Sequence, residues 1–206
     1  MQLSLLDFNL PSTQVYSREE LLSASSQFLL AHVFADEFEI TGLELSGAKG
    51  LLLKRPSSKT FYPWIYDHLA LISFSAIAGL TVATYGRSEV AQMYRDFPDN
   101  ALMMRADGLM PHYEKFRKYV KPVARHLILD PVEVQWNTIL CCFDFLLKEE
   151  AWIMVEALSV FMEHKWKGTF SEGELTRALK ELEAYEVFKE IKLTFRAKRY
   201  PLKKVN

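Results

Sequence analysis

The most constraining feature of the sequence is an uncharged run from residue 69 to residue 86, LALISFSAIAGLTVATYG. As an α-helix, rising about 1.5 Å per residue, this run nearly reaches across the hydrocarbon core of a bilayer. No basic cluster precedes it, however, and it contains four Ser or Thr side chains, those of Ser73, Ser75, Thr81 and Thr84. The pattern therefore favours the buried central helix of a helical domain, and we expect no membrane partner. The small residues Ser75, Gly79 and Ala83 predict that another helix packs closely against it.

Size and composition indicate one folded domain. The chain has 206 residues, of which 50% are hydrophobic and 25% charged, values typical of globular proteins. We expect a single, mainly helical domain over residues 12–206, preceded by an extended peptide at residues 1–11. The two cysteines, Cys141 and Cys142, are adjacent and cannot form an ordinary disulfide, and the N-terminus lacks the features of a signal peptide. These observations predict a protein of the reducing cytoplasm.

Capping signals divide this domain into helices. Ser17 with Glu20, and Ser171 with Glu174, form capping boxes, in which each side chain satisfies a free backbone amide at a helix start. Asp130 before a proline is a further start signal. Together with hydrophobic spacing, these signals predict helices at about 18–35, 63–86, 88–96, 100–107, 111–126, 131–147, 149–165 and 172–188.

Two regions of the chain have strand patterns. Residues 39–45 and 50–55 flank the glycine-containing turn SGAK and predict a β-hairpin. Residues 191–198 (IKLTFRAK) alternate between apolar and polar side chains, which predicts a half-buried strand. We therefore expect an α+β fold that is mainly α-helical, with a small antiparallel sheet made of the hairpin at about 39–55 and a C-terminal strand at about 191–198.

Motifs of the common enzyme classes are missing from the sequence. No two of the five histidines stand at i and i+4 around a glutamate, so the usual signature of a zinc protease is absent. Glycine-rich phosphate loops and the G-x-S-x-G nucleophile motif are absent as well. Cys141 and Cys142 lie in an apolar helical segment, where burial suppresses thiol reactivity. We therefore expect a protein that is not an enzyme, with no catalytic residue, metal or cofactor.

Basic residues concentrate in two regions that could contact a nucleic acid. Residues 112–126 (HYEKFRKYVKPVARH) interleave three aromatic residues with five Lys or Arg residues, a composition that can neutralise phosphates and stack on bases. The alternative for this segment is a helix whose aromatic side chains pack inward and whose bases face solvent. The C-terminal strand and tail offer a second surface for DNA or RNA. Its candidate residues are Lys192, Arg196, Lys198, Arg199, Lys203 and Lys204.

The first residues of the chain contain a short motif that points to a specific partner. Gln2-Leu3-Ser4-Leu5-Leu6 (QLSLL) resembles the pentapeptide through which bacterial polymerases, mismatch-repair proteins and replication regulators dock on the DNA polymerase sliding clamp. In that family the glutamine forms hydrogen bonds in a small pocket, and the last two apolar side chains fill a neighbouring hydrophobic pocket. The resemblance, which covers five residues only, implies that Gln2 is the polar anchor and that Leu5 and Leu6 fill the pocket. Leu3 completes the peptide, and Leu6 stands where phenylalanine is commoner.

Two interpretations of QLSLL stay open. In the first, the peptide is displayed, and the resemblance implies a factor of bacterial, phage or other mobile-element origin that modulates or inhibits DNA replication or repair. In the second, Leu3, Leu5 and Leu10 pack as an edge strand beside the hairpin. The function would then lie elsewhere, and the alternative is nucleic-acid binding through the basic C-terminal strand and tail. Docking on the sliding clamp is the leading hypothesis.

Overall fold

A computed structural model describes the chain over residues 16–35, 39–45, 50–54, 63–96, 110–165, 167–182 and 185–199. Within these ranges the chain forms eight helices and three short strands. The helices are α1 (Arg18–Val33), α2 (Pro63–Tyr85), α3 (Arg87–Asp96), α4 (Met110–Leu127), α5 (Pro131–Leu146), α6 (Glu149–Lys165), α7 (Glu172–Lys180) and α8 (Tyr185–Arg199). The strands are β1 (Glu39–Glu44), β2 (Gly50–Lys54) and β3 (Thr169–Ser171). The expected α+β fold, mainly helical with a small antiparallel sheet, is confirmed.

α2 is the central helix of the fold. It packs against α1, α3, α4 and α5, and every residue from 67 to 79 is buried. Among the described residues it is the one helix long and apolar enough to cross a membrane, and 72% of its apolar stretch is buried inside the protein. The expected buried central helix is therefore present, and it is formed by the uncharged run of the sequence.

α1 and α2 approach each other closely at Gly79. A Cβ atom placed on this glycine would lie 2.6 Å from Ser26 Cβ and 3.2 Å from the Leu22 carbonyl oxygen, both in α1. The Ser23 hydroxyl donates a buried hydrogen bond of 2.7 Å to the Ala76 carbonyl oxygen and joins the same two helices. The close helix approach expected from the small residues of α2 is thus found at Gly79.

Aromatic side chains connect α2 to the helices around it. Phe74 of α2 contacts Phe116 of α4 and Phe143 of α5, with ring centroids 5.1 and 5.9 Å apart. Phe145 of α5 contacts Phe195 of α8, with ring centroids 4.9 Å apart. All five rings are buried. Aromatic packing of this kind therefore holds α4, α5 and α8 in one continuous core.

The sheet has the strand order β2-β1-β3. β1 and β2 form the expected hairpin, in which Ile40 lies opposite Leu53. β3, which was not predicted because three residues are too few for a periodic signal, pairs antiparallel with the other edge of β1 and places Phe170 opposite Leu43. Gly42 makes this pairing possible, since an added Cβ would lie 2.6 Å from the Phe170 carbonyl oxygen. Leu43 and Phe170 are fully buried and attach the sheet to the helical core.

The predicted strand at residues 191–198 is wrong. These residues belong to α8, in which Phe188, Ile191 and Phe195 follow one another at helical spacing and pack against the core. Leu193, which completed the alternating pattern, is 67% exposed. The apparent strand periodicity therefore came from one apolar residue that faces solvent.

The helix predicted from residue 172 to about 188 is divided in two. α7 ends at Lys180, and α8 begins at Tyr185 after a turn in which the Tyr185 N–H donates to the Leu182 carbonyl oxygen at 2.9 Å. Leu179 and Phe188 are both fully buried. They are nine residues apart, so one continuous helix would place their side chains on opposite sides of the helix. The break lets both side chains reach the core.

The predicted peptide at residues 1–11 and the predicted helix at 100–107 lie outside the described residues.

Both predicted capping boxes are present. At the start of α7, the Glu174 N–H donates to Ser171 Oγ at 3.4 Å, and the Ser171 N–H donates to the Glu174 carboxylate at 3.0 Å. Lys167 Nζ donates to the same carboxylate at 2.5 Å. This hydrogen bond, with those from Ser171, lowers the pKa of Glu174 to about 2. Through Lys167, Glu174 therefore ties α7 to the segment that precedes β3.

We expect Ser171→Ala to lower the free energy of unfolding by about 0.5–2 kcal/mol, because the Glu174 N–H in the first turn of α7 loses its acceptor. Urea denaturation at neutral pH measures the change. Thr84→Ala is the matched control, since the Thr84 hydroxyl is exposed and donates within its own helix, to the Leu80 carbonyl oxygen. The control should shift stability by less than about 0.5 kcal/mol. Equal losses in the two variants would contradict the capping role of Ser171.

Candidate interaction surfaces

α4 carries a run of basic side chains on its solvent side. Phe116 and Val120 are fully buried, and Phe116 packs on Phe74 of α2. Apart from the exposed Lys115, which lies at a different angle, the exposed Lys and Arg side chains fall within about 100° around the helix axis, on the side away from these buried residues. They are Arg117, Lys118, Lys121 and Arg125, and together they are named the α4 basic face.

The aromatic residues of α4 pack inward. Phe116 is fully buried, and Tyr113 and Tyr119 are half-buried. The ring of Tyr119 lies 6.1 Å from that of Tyr66 in α2, and the ring of Tyr113 lies 6.1 Å from that of Phe116. Of the two interpretations of residues 112–126, inward packing of the aromatic side chains is therefore confirmed. The basic side chains are left as the part of α4 that can meet a partner.

In the described part of the chain, the bases of the α4 basic face are not paired with acidic side chains. Arg117 lies over the Tyr113 ring, with its guanidinium carbon 5.9 Å from the ring centroid. The exposed acids Glu114 and Asp130 lie beyond the two ends of the face. The four bases therefore form a continuous positive surface between them.

The turn that ends α4 holds a strained isoleucine. The Leu129 N–H donates to the Ala124 carbonyl oxygen at 3.0 Å, which is the six-to-one hydrogen bond of a Schellman motif. Ile128 occupies the left-handed position of this motif, with φ of 57°. Glycine is usual there, because the left-handed conformation costs a residue with a side chain roughly 1–2 kcal/mol. Since Ile128 is 92% exposed, core packing does not offset the strain, and such strain marks a candidate contact residue.

A buried polar cluster joins the end of α1 to α8. His32 is 6% exposed, and its Nε2 lies 3.3 Å from the Tyr185 hydroxyl. Its Nδ1 is buried and has no hydrogen-bond partner in the described part of the chain. Lys192 Nζ donates to the His32 carbonyl oxygen at 3.1 Å, in the last turn of α1. Burial, with a smaller effect from the charge of Lys192, lowers the pKa of His32 to about 4, so the imidazole is neutral at pH 7.

A second buried histidine joins α1 to α4. His112 Nδ1 lies 3.3 Å from the side-chain nitrogen of Gln27. Burial, with a smaller effect from the charge of Lys115, lowers the pKa of His112 to about 4. Sequence reasoning missed both histidine contacts, because their partners are distant along the chain and only the fold brings them together. Both imidazoles connect helices within the protein body.

Comparison of the chain with protein-family models, curated protein sequences and solved structures finds no match. The candidate function therefore depends on the residues of this chain alone.

Among the described residues, no group of three His, Cys, Asp or Glu side chains could hold a metal ion. Cys142 is buried and Cys141 half-buried in α5.

The structure places the residues predicted for nucleic-acid binding differently from the expectation. Lys192 is half-buried and donates to the His32 carbonyl oxygen, because a helix, unlike the predicted strand, turns this side chain toward α1. Arg196, Lys198 and Arg199 have helical backbone in α8, so they form no basic strand. The remaining predicted residues lie outside the described residues; they are Gln2, Leu3, Leu5, Leu6, Lys203 and Lys204.

Proposed function

We propose that the protein is a non-enzymatic interaction factor that docks on the bacterial DNA polymerase sliding clamp through residues 2–6. The observation that carries this proposal is the motif QLSLL, which sets a glutamine and two final leucines in the order of the clamp-binding pentapeptide. An extended peptide can enter a groove on a partner while its own domain stays folded. Side chains that fill pockets supply most of the binding energy in such contacts.

The way α1 begins supports this proposal. The Ser17 N–H donates to the Glu20 carboxylate at 2.8 Å, and the Glu20 N–H donates to Ser17 Oγ at 3.2 Å, so α1 caps its own start. Tyr16 packs against the core beside Gly168, where an added Cβ would lie 2.5 Å from the tyrosine hydroxyl. Tyr16 is thus held at a fixed point near β3. The ten residue-to-residue steps from Leu6 to Tyr16 can span at most about 35 Å between that point and a clamp pocket.

Occupation of the pocket would exclude other proteins by competition. Polymerases and repair proteins that use the same type of peptide bind the same pocket, so each molecule of this protein on a clamp removes one site. The fraction of sites removed depends on the concentration of the protein relative to its Kd. The protein would therefore modulate or inhibit replication or repair without any chemistry of its own.

We expect the double variant Gln2→Ala/Leu6→Ala to bind purified bacterial clamp about 100-fold more weakly than the full chain, because it lacks both the polar anchor and a pocket-filling leucine. A loss of this size is typical when anchor residues at the centre of an interface are truncated. Surface plasmon resonance with immobilised clamp measures the Kd values. The matched control Asn9→Ala changes a residue outside the pentapeptide and should bind as the full chain does.

Thermal unfolding of the same variants separates display from burial. If residues 2–6 are displayed, the double variant, the control and the full chain melt at the same temperature. Unchanged clamp binding by the double variant would contradict the proposal. Absence of clamp binding by the full chain, with a double variant that melts several degrees lower, would instead support the edge-strand interpretation.

A further inference from the structure

The α4 basic face has the dimensions and charge density of a backbone-binding surface. Arg117, Lys121 and Arg125 follow one another at intervals of four residues, or about 6 Å along the helix axis, so the face is about 12 Å long. Duplex DNA carries one negative charge per about 1.7 Å of its axis. A stretch of duplex of the same length therefore presents about seven phosphates, more than enough to engage all four bases of the face.

We propose that the α4 basic face binds the phosphate backbone of duplex DNA. This inference goes beyond clamp docking and does not depend on it, because it uses residues of α4 alone. The inner side of α4 is covered by α2 and α5, so the helix presents only its outer side, whose four basic side chains are spaced along the axis for contact with phosphates. The contact is therefore with phosphates and does not distinguish one DNA sequence from another.

The composition of the face favours DNA over a protein or a membrane. A stable protein interface has an apolar core, whereas the α4 basic face consists of charged side chains. A helix that lies in a membrane surface buries an apolar side in lipid, but the apolar side of α4, with Phe116, Val120 and Val123, is buried in the protein core. Protein–DNA interfaces are polar and strongly positive, as this face is.

Ile128 extends the surface past the end of α4. It follows Arg125 by three residues, and the left-handed turn presents its side chain to solvent at 92% exposure. Apolar side chains beside basic residues enter the minor groove in several classes of DNA-binding protein. On this surface Ile128 contacts the groove next to the phosphates that Arg125 binds, which gives a function to an otherwise costly conformation.

Fluorescence anisotropy of the full chain with a labelled DNA duplex of random sequence, in the absence of any clamp, tests this proposal. Four phosphate contacts predict that log Kd rises with log salt concentration with a slope of about 3.6, which weakens binding about 100-fold between about 50 and 200 mM salt. Lys118→Ala/Lys121→Ala should lower the slope by about two. The matched control Lys165→Ala/Lys180→Ala removes two exposed lysines from α6 and α7 and should leave the slope unchanged.

Three outcomes would overturn the proposal. Equal losses in the two double variants would show that net charge, and not the α4 basic face, controls binding. Binding to phosphatidylserine vesicles without binding to the duplex would assign the face to membranes. Failure of the full chain to bind the duplex at about 50 mM salt would remove DNA as the partner.

Ile128→Gly provides a second test, in which thermal stability and duplex affinity should change in opposite directions. Relief of the left-handed strain should raise the melting temperature, while loss of the groove contact should weaken duplex binding about fivefold. A variant that is more stable and binds the duplex with unchanged Kd would remove Ile128 from the proposed surface. A loss of both stability and binding would contradict the strain at this position.

Discussion

Gly79→Val is expected to lower the free energy of unfolding by about 3 kcal/mol, a large part of the total stability of a typical domain. The space beside Gly79 is already occupied by α1, because an added Cβ would lie 2.6 Å from Ser26 Cβ and 3.2 Å from the Leu22 carbonyl oxygen. The backbone of α1 fixes the positions of Ser26 Cβ and the Leu22 carbonyl oxygen, so neither atom can give way as the end of a flexible side chain can. A valine therefore has to force α1 and α2 apart, and this opens the most extensive helix contact of the core.

Gly173→Ala is the matched control for this substitution. Gly173 lies in the first turn of α7, and an added Cβ there would meet no atom within 4 Å. Alanine favours helix over glycine by up to about 1 kcal/mol, so this variant should keep or raise the stability of the protein. Urea denaturation of both variants at pH 7 makes the comparison. Wild-type stability in Gly79→Val would contradict the close packing of α1 on α2.

Acid is expected to destabilise the protein strongly between pH 6.5 and about pH 4. Burial first, and neighbouring lysines second, lower the pKa values of His32 and His112 from 6.5 to about 4. The unfolded chain therefore binds protons at these histidines in a pH range where the folded protein does not, and stability falls as the pH falls. These two histidines cause no loss of stability above pH 6.5, and the loss of stability is complete near pH 4. It amounts to about 3 kcal/mol for each histidine.

His32→Gln isolates one of the two titrating groups. Whatever this substitution does to stability at pH 7, it should reduce by about half the change in the free energy of unfolding between pH 6.5 and pH 4. Urea denaturation at a series of pH values measures this slope. His126→Gln, which removes an exposed imidazole, is the matched control for this substitution. A His32→Gln curve that runs parallel to the wild-type curve would show that His32 does not titrate as its burial implies.

The helices that could be predicted are those in which local signals agree with burial in the fold. The Ser17 capping box and the Asp130 cap mark helix starts that the structure keeps. α8 could not be assigned in this way, because Leu193 is apolar yet exposed and imitates the alternation of a strand. The break after α7 contains neither glycine nor proline. It follows from the need to bury Leu179 and Phe188 together, which no local pattern reports.

The candidate surface was predictable in part. Helical spacing alone places Arg117, Lys121 and Arg125 on one side of α4 and Phe116 on another. The strain at Ile128 was not predictable, since left-handed positions are normally signalled by glycine or asparagine. The contact between His32 and Tyr185 was not predictable either, because it joins residues from opposite ends of the chain.

The order of strands in the sheet has a consequence for synthesis on the ribosome. β1 is the middle strand, yet Ser171, the partner of Gly42 on its second edge, is translated about 130 residues later. At about 5–20 residues per second, that edge waits roughly 6–26 seconds for its partner. An unpaired strand edge is a template for pairing with other chains. The nascent protein is therefore most exposed to aggregation, and most in need of a chaperone, in the interval before β3 leaves the ribosome.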